Sequence, residues 1–184
     1  MSDEKKLIKK AKNQDREAFG TLYDVYMDRI YRFIFLRVSK KSDAEDITQK
    51  VFIKAWQSID RYEIRKNVPF SSWLYRIAKN TVIDYYRTEK NHSAIEDIPE
   101  HEISEEAKDH EKAADDTLKF NQIKEALSEL TDNQQDIIIM KFVEELENKE
   151  IAEILDKTEV AIRVTQHRAL KKLRKIIKKE QEDI

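Results

Sequence analysis

Apolar residues in the first 90 positions return at intervals of three and four, the pattern of helices with one buried face. Phe19, Leu22, Tyr23, Tyr26, Ile30, Phe33, Ile34 and Val38 trace one such face. In DAEDITQKVFIKAWQSI, Ile47, Val51, Ala55 and Ile59 trace a second, with Phe52 and Trp56 beside it. Ser42 is expected to cap this helix, with Glu45 three residues on completing a capping box. A third helix is predicted from Ser71 or Ser72 to about Arg87. Leu74, Ile77, Ala78, Val82 and Tyr85 form its apolar face, and Arg76, Asn80, Asp84 and Arg87 a separate polar stripe. Between the last two helices, DRYEIRKNVPF (residues 60–70) reads as a polar loop closed by Pro69.

The pattern then lapses. Residues 88–116 have few apolar positions and cannot bury enough surface to offset ordering entropy, so a linker is expected, helical in places at most. Periodicity resumes as four short helices. The first covers about 117–129, and the second about 132–144 behind a Thr131 cap. The third is KEIAEIL, capped by Asn148, and the fourth starts from a Thr158 cap. Two helices separated by a three- or four-residue turn are the helix-turn-helix signature. Ile151, Ala152, Leu155, Val160, Ile162 and Ala169 are the expected inward positions, and Ala152 is small enough to let the two helices approach closely. Arg163, Gln166, His167, Arg168 and Lys171 face outward. The chain is therefore expected to be all-α, with two small helical domains joined by a flexible acidic linker.

Composition supports this class: one glycine, two prolines and 39% charged residues in 184 leave few turn or strand signals. The absence of cysteine excludes disulfides, thiol nucleophiles and Cys-based zinc sites. Of four histidines, His92, His101 and His110 fall in the acidic stretch, where solvated side chains are the simpler reading than metal ligands. The start, MSDEKKLIKKAKNQ, lacks the apolar core of a signal peptide, and no apolar run approaches a membrane span, so a cytoplasmic location without membrane insertion is expected. The net charge of −2 hides a strong segregation. Residues 88–116 hold eleven acidic against three basic side chains, and residues 157–179 nine basic against Glu159 alone. Fourteen of the sixteen aromatics lie before residue 90, and the basic run has none.

Two unlike nucleic-acid surfaces follow from this asymmetry. A basic helix without aromatics suits duplex DNA: Arg163, Gln166 and His167 reach base edges while Arg168, Lys171 and Lys172 hold phosphates. A basic helix alone is ordinary solvated surface; the turn spacing, Ala152 and the missing counter-charges favour DNA. Aromatics among basic side chains suit unstacked bases, at roughly 1–3 kcal/mol per stacked base. Most of the aromatics must be core, but Phe70, Trp73, Tyr75 and Tyr86 lie beside Lys66, Arg76, Lys79 and Arg87 and are candidate platforms. The carboxylates of Asp43, Glu45 and Asp46 invite an acid–base or metal reading, yet no histidine or further carboxylate completes a site. Acids in a helix's first turn are explained by its dipole. No phosphate-binding glycine loop and no nucleophile triad occurs, so no catalytic residue, metal or cofactor is expected, and no small-molecule substrate.

In order, DAEDITQKVFIKAW, FSSWLYRIAKNTVIDYYR, the acidic linker and NKEIAEILDKTEVAIRVTQHRALKKLRK resemble a bacterial sigma-70 family factor. The nearest group is the extracytoplasmic-function (ECF) sigma factors, which keep only the second and fourth conserved regions. The resemblance covers about residues 10–88 and 118–178. It implies a region 2 domain over 1–88, a linker over 89–116 and a region 4 helix-turn-helix over 117–184. It implies core RNA polymerase as partner, through the β′ coiled coil and the β subunit, with Asp46, Gln49, Phe52 and Trp56 as contacts. The single-stranded −10 promoter element would fall to Arg61, Lys66, Phe70, Ser71, Trp73, Arg76, Lys79, Asn80 and Arg87. The −35 duplex would fall to Thr158, Arg163, Val164, Gln166, His167, Arg168 and Lys171. The linker would thread through the polymerase, where acid suits channels lined with basic side chains. An anti-sigma protein is implied as regulator. Lys50 departs from the acidic residue common after the glutamine, and Glu145, Asp156 and Val160 stand near positions where glycine is common. Asp156 visits left-handed backbone more readily than most residues, whereas Glu145 is the least suited, because helix ends favour glycine.

Two other readings fit parts of the chain. A helix-turn-helix regulator would use residues 118–178 without replacing sigma, with the aromatic domain as a sensor or dimerisation module. A helical adaptor would offer its basic helix to an acidic protein. Transcription with purified core polymerase separates the first from a sigma factor, and dependence of duplex binding on Arg163 or Arg168 separates the second.

Overall fold

The computed structural model describes residues 3–38, 40–65, 68–93 and 122–182, and these are helical with connecting turns. The chain divides into two compact units, one over residues 1–100 and the other over most of residues 101–184. The expected linker lies outside the described residues from 94 onward.

The first unit opens on α1 (Asp3–Lys12), which the apolar pattern does not predict. Only Ile8 and Ala11 of its ten residues are buried, too thin a stripe to register as a period. α2 (Arg16–Phe35) follows, capped by Asp15, whose carboxylate accepts from the Ala18 N–H at 3.0 Å. Leu22, Tyr26, Ile30, Phe33 and Ile34 face inward as expected. α3 (Lys41–Ser58) buries Ile47, Val51 and Ala55, and Ile59 is buried in the short 3₁₀ turn Ile59–Arg61. Ser42 is not its cap. The helix starts two residues earlier behind Lys40, without a side-chain cap bond, because buried Val38 and Ala44 on either side fix the register by packing. α4 (Phe70–Ser93) begins earlier and ends later than expected. The Ser72 N–H closes onto the Pro69 carbonyl at 3.1 Å, and nothing in TEKNHS breaks the helix after Arg87. α1 packs on α2, α2 on α3, and α4 on both α2 and α3.

In the second unit, α5 (residues 122–128) leads to Leu130 in the core. α6 (Asp132–Ile138) starts behind Thr131, whose N–H donates to the Gln134 side chain at 3.1 Å. It widens into a π turn (Ile139–Val143), where the Glu144 N–H reaches five residues back to Ile139 at 3.0 Å. α7 (Asn148–Leu155) takes Asn148 as its first residue rather than its cap. The Glu150 carboxylate instead accepts from the Glu147 N–H at 2.8 Å. α8 (Glu159–Glu182) is capped as expected, the Thr158 hydroxyl accepting from the Ala161 N–H at 3.2 Å. Ile151, Ala152, Leu155, Ile162 and Ala169 are buried, and Ile154 joins them. Val160 does not: it is 67% exposed, because two residues along a helix from Ile162 is about 200° round its axis.

Three helices stop on left-handed residues, none of them glycine: Gln14 (φ 65°), Glu145 (φ 57°) and Asp156 (φ 52°). After α1 and α7 the following N–H reaches five residues back, Asp15 to Lys10 at 3.2 Å and Lys157 to Ala152 at 2.9 Å. This is the left-handed stop that usually carries glycine. The single glycine, Gly20, sits instead inside α2, where an added Cβ meets no atom within 4 Å. Gly20→Ala is therefore expected to stabilise the first unit by about 1 kcal/mol, and Glu145→Gly the second by about 1 kcal/mol. Thermal unfolding of the full chain, followed by circular dichroism, measures both. A lowered Tm for Gly20→Ala would mean that the site is less open than its geometry indicates.

Candidate nucleic-acid and protein interfaces

The outward face of α3 presents Asp46, Gln49, Lys50, Ile53 and Gln57 on one exposed stripe. Of the four contacts expected here, Asp46 and Gln49 are exposed and Trp56 is half-buried, 5.0 Å from the Phe19 ring. Phe52 is in the core, edge-on to Tyr23 at 4.6 Å, so it supports this surface from beneath rather than presenting itself. Ile53, 55% exposed, is the residue sequence reading missed. Its signal was present, since it falls off the buried Ile47–Val51–Ala55–Ile59 stripe. An exposed isoleucine one turn from Trp56 gives the face apolar area for a protein partner. Lys50 stands on the same stripe and adds a positive charge to it.

α3 is pinned to α4 at two points. Near its start the Tyr85 hydroxyl donates to Asp43 Oδ2 at 2.7 Å. Toward its end Lys54 donates to Thr81 Oγ1 at 3.2 Å and pairs with Asp84 at 3.6 Å. Asp43 is thus a structural acceptor rather than an acid–base group, and no cluster of metal-ligating side chains occurs among the described residues. Burial raises the Tyr85 hydroxyl's pKa well above 10.0, and the bond to Asp43 raises it further. Tyr26 is raised in the same way, by burial and by its bond to Glu4.

α4 carries the second surface. Trp73, Arg76, Asn80, Asp84 and Arg87 lie three or four residues apart along one side, with Trp73 half-buried at its head and the others exposed. Lys79 is half-buried beside them. Phe70, Tyr62 and Trp73 pack together with ring centroids 5.0–5.3 Å apart. Phe70, Ser71 and Tyr75 are buried, so the expectation that Phe70 and Tyr75 offer free stacking faces is corrected. They are interior because α4 packs against two helices at once, which widens its buried arc. Tyr86 is half-buried and its hydroxyl donates to the Arg37 carbonyl. Trp73 remains as the aromatic on this stripe. Arg61 is exposed in the turn ahead of the loop, and Lys66 lies outside the described residues. Arg87 pairs with Asp84 at 3.5 Å, an exposed contact that contributes about 0–1 kcal/mol and is easily given up for a phosphate.

The third surface is the outer side of α8. Val160, Arg163, Val164, His167, Arg168 and Lys171 fall at helical spacing and are all exposed. Gln166 is half-buried at the stripe's margin. The Thr158 hydroxyl is engaged as the helix cap, which orients the first turn. Val160, expected inward, adds a second exposed isopropyl group to Val164, and apolar groups of this kind contact thymine methyls in a major groove. Arg163 bonds Glu159 Oε2 at 3.2 Å one turn back. The stripe as a whole is cationic with a small apolar head, the shape and charge of a helix that enters duplex DNA.

Comparisons with known proteins agree in both halves. A family model described as sigma-70 region 2 matches residues 22–92, and one described as sigma-70, region 4 matches residues 120–173. The chain is 33% identical to the ECF RNA polymerase sigma factor SigW of Bacillus subtilis, covering 93% of this chain and 95% of that protein. It is 29% identical to the ECF RNA polymerase sigma factor BldN of Streptomyces coelicolor, covering 93% of this chain but spanning only 64% of that longer relative. Among solved structures it is similar to the sigma factor RpoE of Bartonella quintana, crystallised with the anti-sigma factor NepR. The TM-score is 0.66 at 21% identity, covering 87% of this chain and 96% of that one, a likeness of fold.

The pKa directions give a test of the α1–α2 and α3–α4 bonds. A hydroxyl whose native pKa is raised contributes stability that is intact below the unfolded value of 10.0 and lost as pH rises above it. Tyr26→Phe with Tyr85→Phe is expected to cost about 1–2 kcal/mol at neutral pH. The double variant should then lose less stability than the parent between about pH 9 and pH 11. Urea unfolding across that range measures the difference, and parallel curves would mean that neither hydroxyl is coupled to folding.

Proposed function

The chain belongs to the sigma-70 family and its ECF group, and on that premise we propose that it binds core RNA polymerase and directs promoter-specific initiation. One observation carries the reading: both conserved regions occur on one chain in family order, the first at 22–92 and the second at 120–173. A plain helix-turn-helix regulator accounts for the second alone. The working division is a region 2 domain over 1–88, a linker over 89–116 and a region 4 domain over 117–184. The relatives are sigma factors, whose role is to direct a polymerase rather than to catalyse a reaction themselves.

In the proposed mechanism the exposed stripe of α3 docks on the polymerase. Asp46 and Gln49 supply polar contacts, and Trp56 and Ile53 supply apolar area. The outer face of α8 then enters the −35 duplex. Arg163 and His167 read base edges, Val160 and Val164 meet methyl groups, and Arg168 and Lys171 hold phosphates. Opening follows at the −10 element, where Trp73 and the α4 stripe hold the non-template strand. A base stacked on an aromatic gains roughly 1–3 kcal/mol, against a few kcal/mol to unstack a step. Capture of two or three bases therefore offsets local opening but not extensive melting. The linker follows the polymerase's nucleic-acid path, where its acids replace phosphates. An anti-sigma protein is the proposed regulator, since the similar RpoE was solved with one. The site of action is the cytoplasm.

Run-off transcription with purified core polymerase tests the reading directly: the chain is expected to confer initiation at a defined start on promoter DNA. Binding of that DNA without start-site-specific transcripts would favour the regulator. Arg163→Ala should relax −35 sequence preference at a cost of about 1–3 kcal/mol on the preferred site. Equal losses on every sequence would reduce Arg163 to a phosphate contact. Trp73→Ala and Asn80→Ala should impair open-complex formation more than closed-duplex binding, and pre-melting the −10 region should restore part of the loss. No restoration at all would remove these residues from strand capture.

A further inference from the structure

The loop expected to meet the −10 strand is held by α1 directly at its entry and through Tyr26 of α2 at its exit, and neither the sequence pattern nor the matched family regions give α1 a role. At the loop's entry, Lys12 in the last turn of α1 donates from Nζ to the carbonyl of Tyr62. At its exit, Phe70 packs 5.7 Å from the Tyr26 ring, and the Tyr26 hydroxyl donates to Glu4 in the first turn of α1. The two ends also touch each other, Tyr62 on Phe70 at 5.2 Å and Tyr62 on Trp73 at 5.0 Å. α1 is itself fixed by Ile8 and Ala11, 2% and 0% exposed. The result is a continuous chain of contacts from Lys12 to the one aromatic on the α4 stripe.

We propose that α1 is a brace for the strand-capturing surface, with Lys12 and Glu4 as positioning residues that fix Tyr62, Phe70 and through them Trp73. The proposal rests on the reading of Trp73 and the α4 stripe as the −10 site. An ammonium bonded to a carbonyl is a charge-assisted contact, directional and stronger than a neutral one. It acts on the backbone of the first residue after the 3₁₀ turn, and so on where Arg61 stands. Loss of the bond frees the loop's entry while Ile8 and Ala11 keep α1 in place. The expected signature is reduced strand capture with an intact fold and intact duplex binding.

The test uses holoenzyme reconstituted with core polymerase on a duplex promoter carrying 2-aminopurine in the −10 non-template strand, whose fluorescence reports unstacking. Binding of the same proteins to a −35 duplex is measured in parallel. Lys12→Met keeps the aliphatic stem and is expected to lower open-complex formation about tenfold, with −35 binding and Tm little changed. Lys12→Arg, which retains a donor, should recover most of the loss. Lys9→Met removes an equal charge from an exposed position on the same helix and should leave capture within about twofold of the parent. Equal losses for Lys9→Met and Lys12→Met would overturn the brace in favour of general attraction to phosphates. A loss that Lys12→Arg fails to recover, or that falls equally on −35 binding, would overturn it as well. Trp73→Ala separates the two levels of argument. If it lowers capture and Lys12→Met does not, the brace alone fails; if neither lowers it, the −10 reading fails and takes the brace with it.

Discussion

Helices can lie against each other only if the chain can stop and turn between them, and this chain has almost no glycine with which to do so. Its stops after α1, before α7 and between α7 and α8 are made by Gln14, Glu145 and Asp156 in left-handed backbone. Each L side chain there costs on the order of 1 kcal/mol that glycine would not. The turns persist because they are over-determined. Ala11, Leu146, Ala152 and Leu155 beside them are buried, and the N–H groups that follow the stops reach back to close each helix.

Much of the core was legible because burial on one face leaves a period. Ile47, Val51, Ala55 and Ile59 are all interior, and the polar stripe of α4 is exposed from Arg76 to Arg87. The Thr158 cap was readable for a local reason, as its hydroxyl bonds an N–H three residues away. What was not legible depended on contacts distant in sequence. α1 is mostly charged, and its bonds go to Tyr26 and Tyr62, partners 22 and 50 residues away. Phe70 and Tyr75 have the composition of base platforms, and only the presence of both α2 and α3 around α4 makes them interior. Val160 and Ile53 were the reverse case, apolar residues whose helical angle puts them outside.

The three surfaces differ in kind as well as place. The α3 face combines the polar side chains of Asp46, Gln49, Lys50 and Gln57 with exposed isoleucine and half-buried tryptophan, a composition suited to protein. The α4 stripe has one aromatic among cations and an amide, and the α8 stripe has cations and two valines. The first two share a support: Tyr85 to Asp43, and Lys54 to Thr81 and Asp84, tie the helix proposed to face protein to the helix proposed to face the strand. Neither can shift far without the other.

Two of the cations proposed for DNA already hold carboxylates, Arg163 with Glu159 and Arg87 with Asp84. When such an arginine turns to the DNA, the carboxylate it leaves gathers a cation from solution just as the DNA gives one up. Counterion release on forming the complex is then smaller than the arginines and lysines of the stripes would give if all were free. The salt dependence of promoter binding should be correspondingly shallow, and discrimination between sequences should survive rises in ionic strength that would strip a protein held by unpaired charge alone.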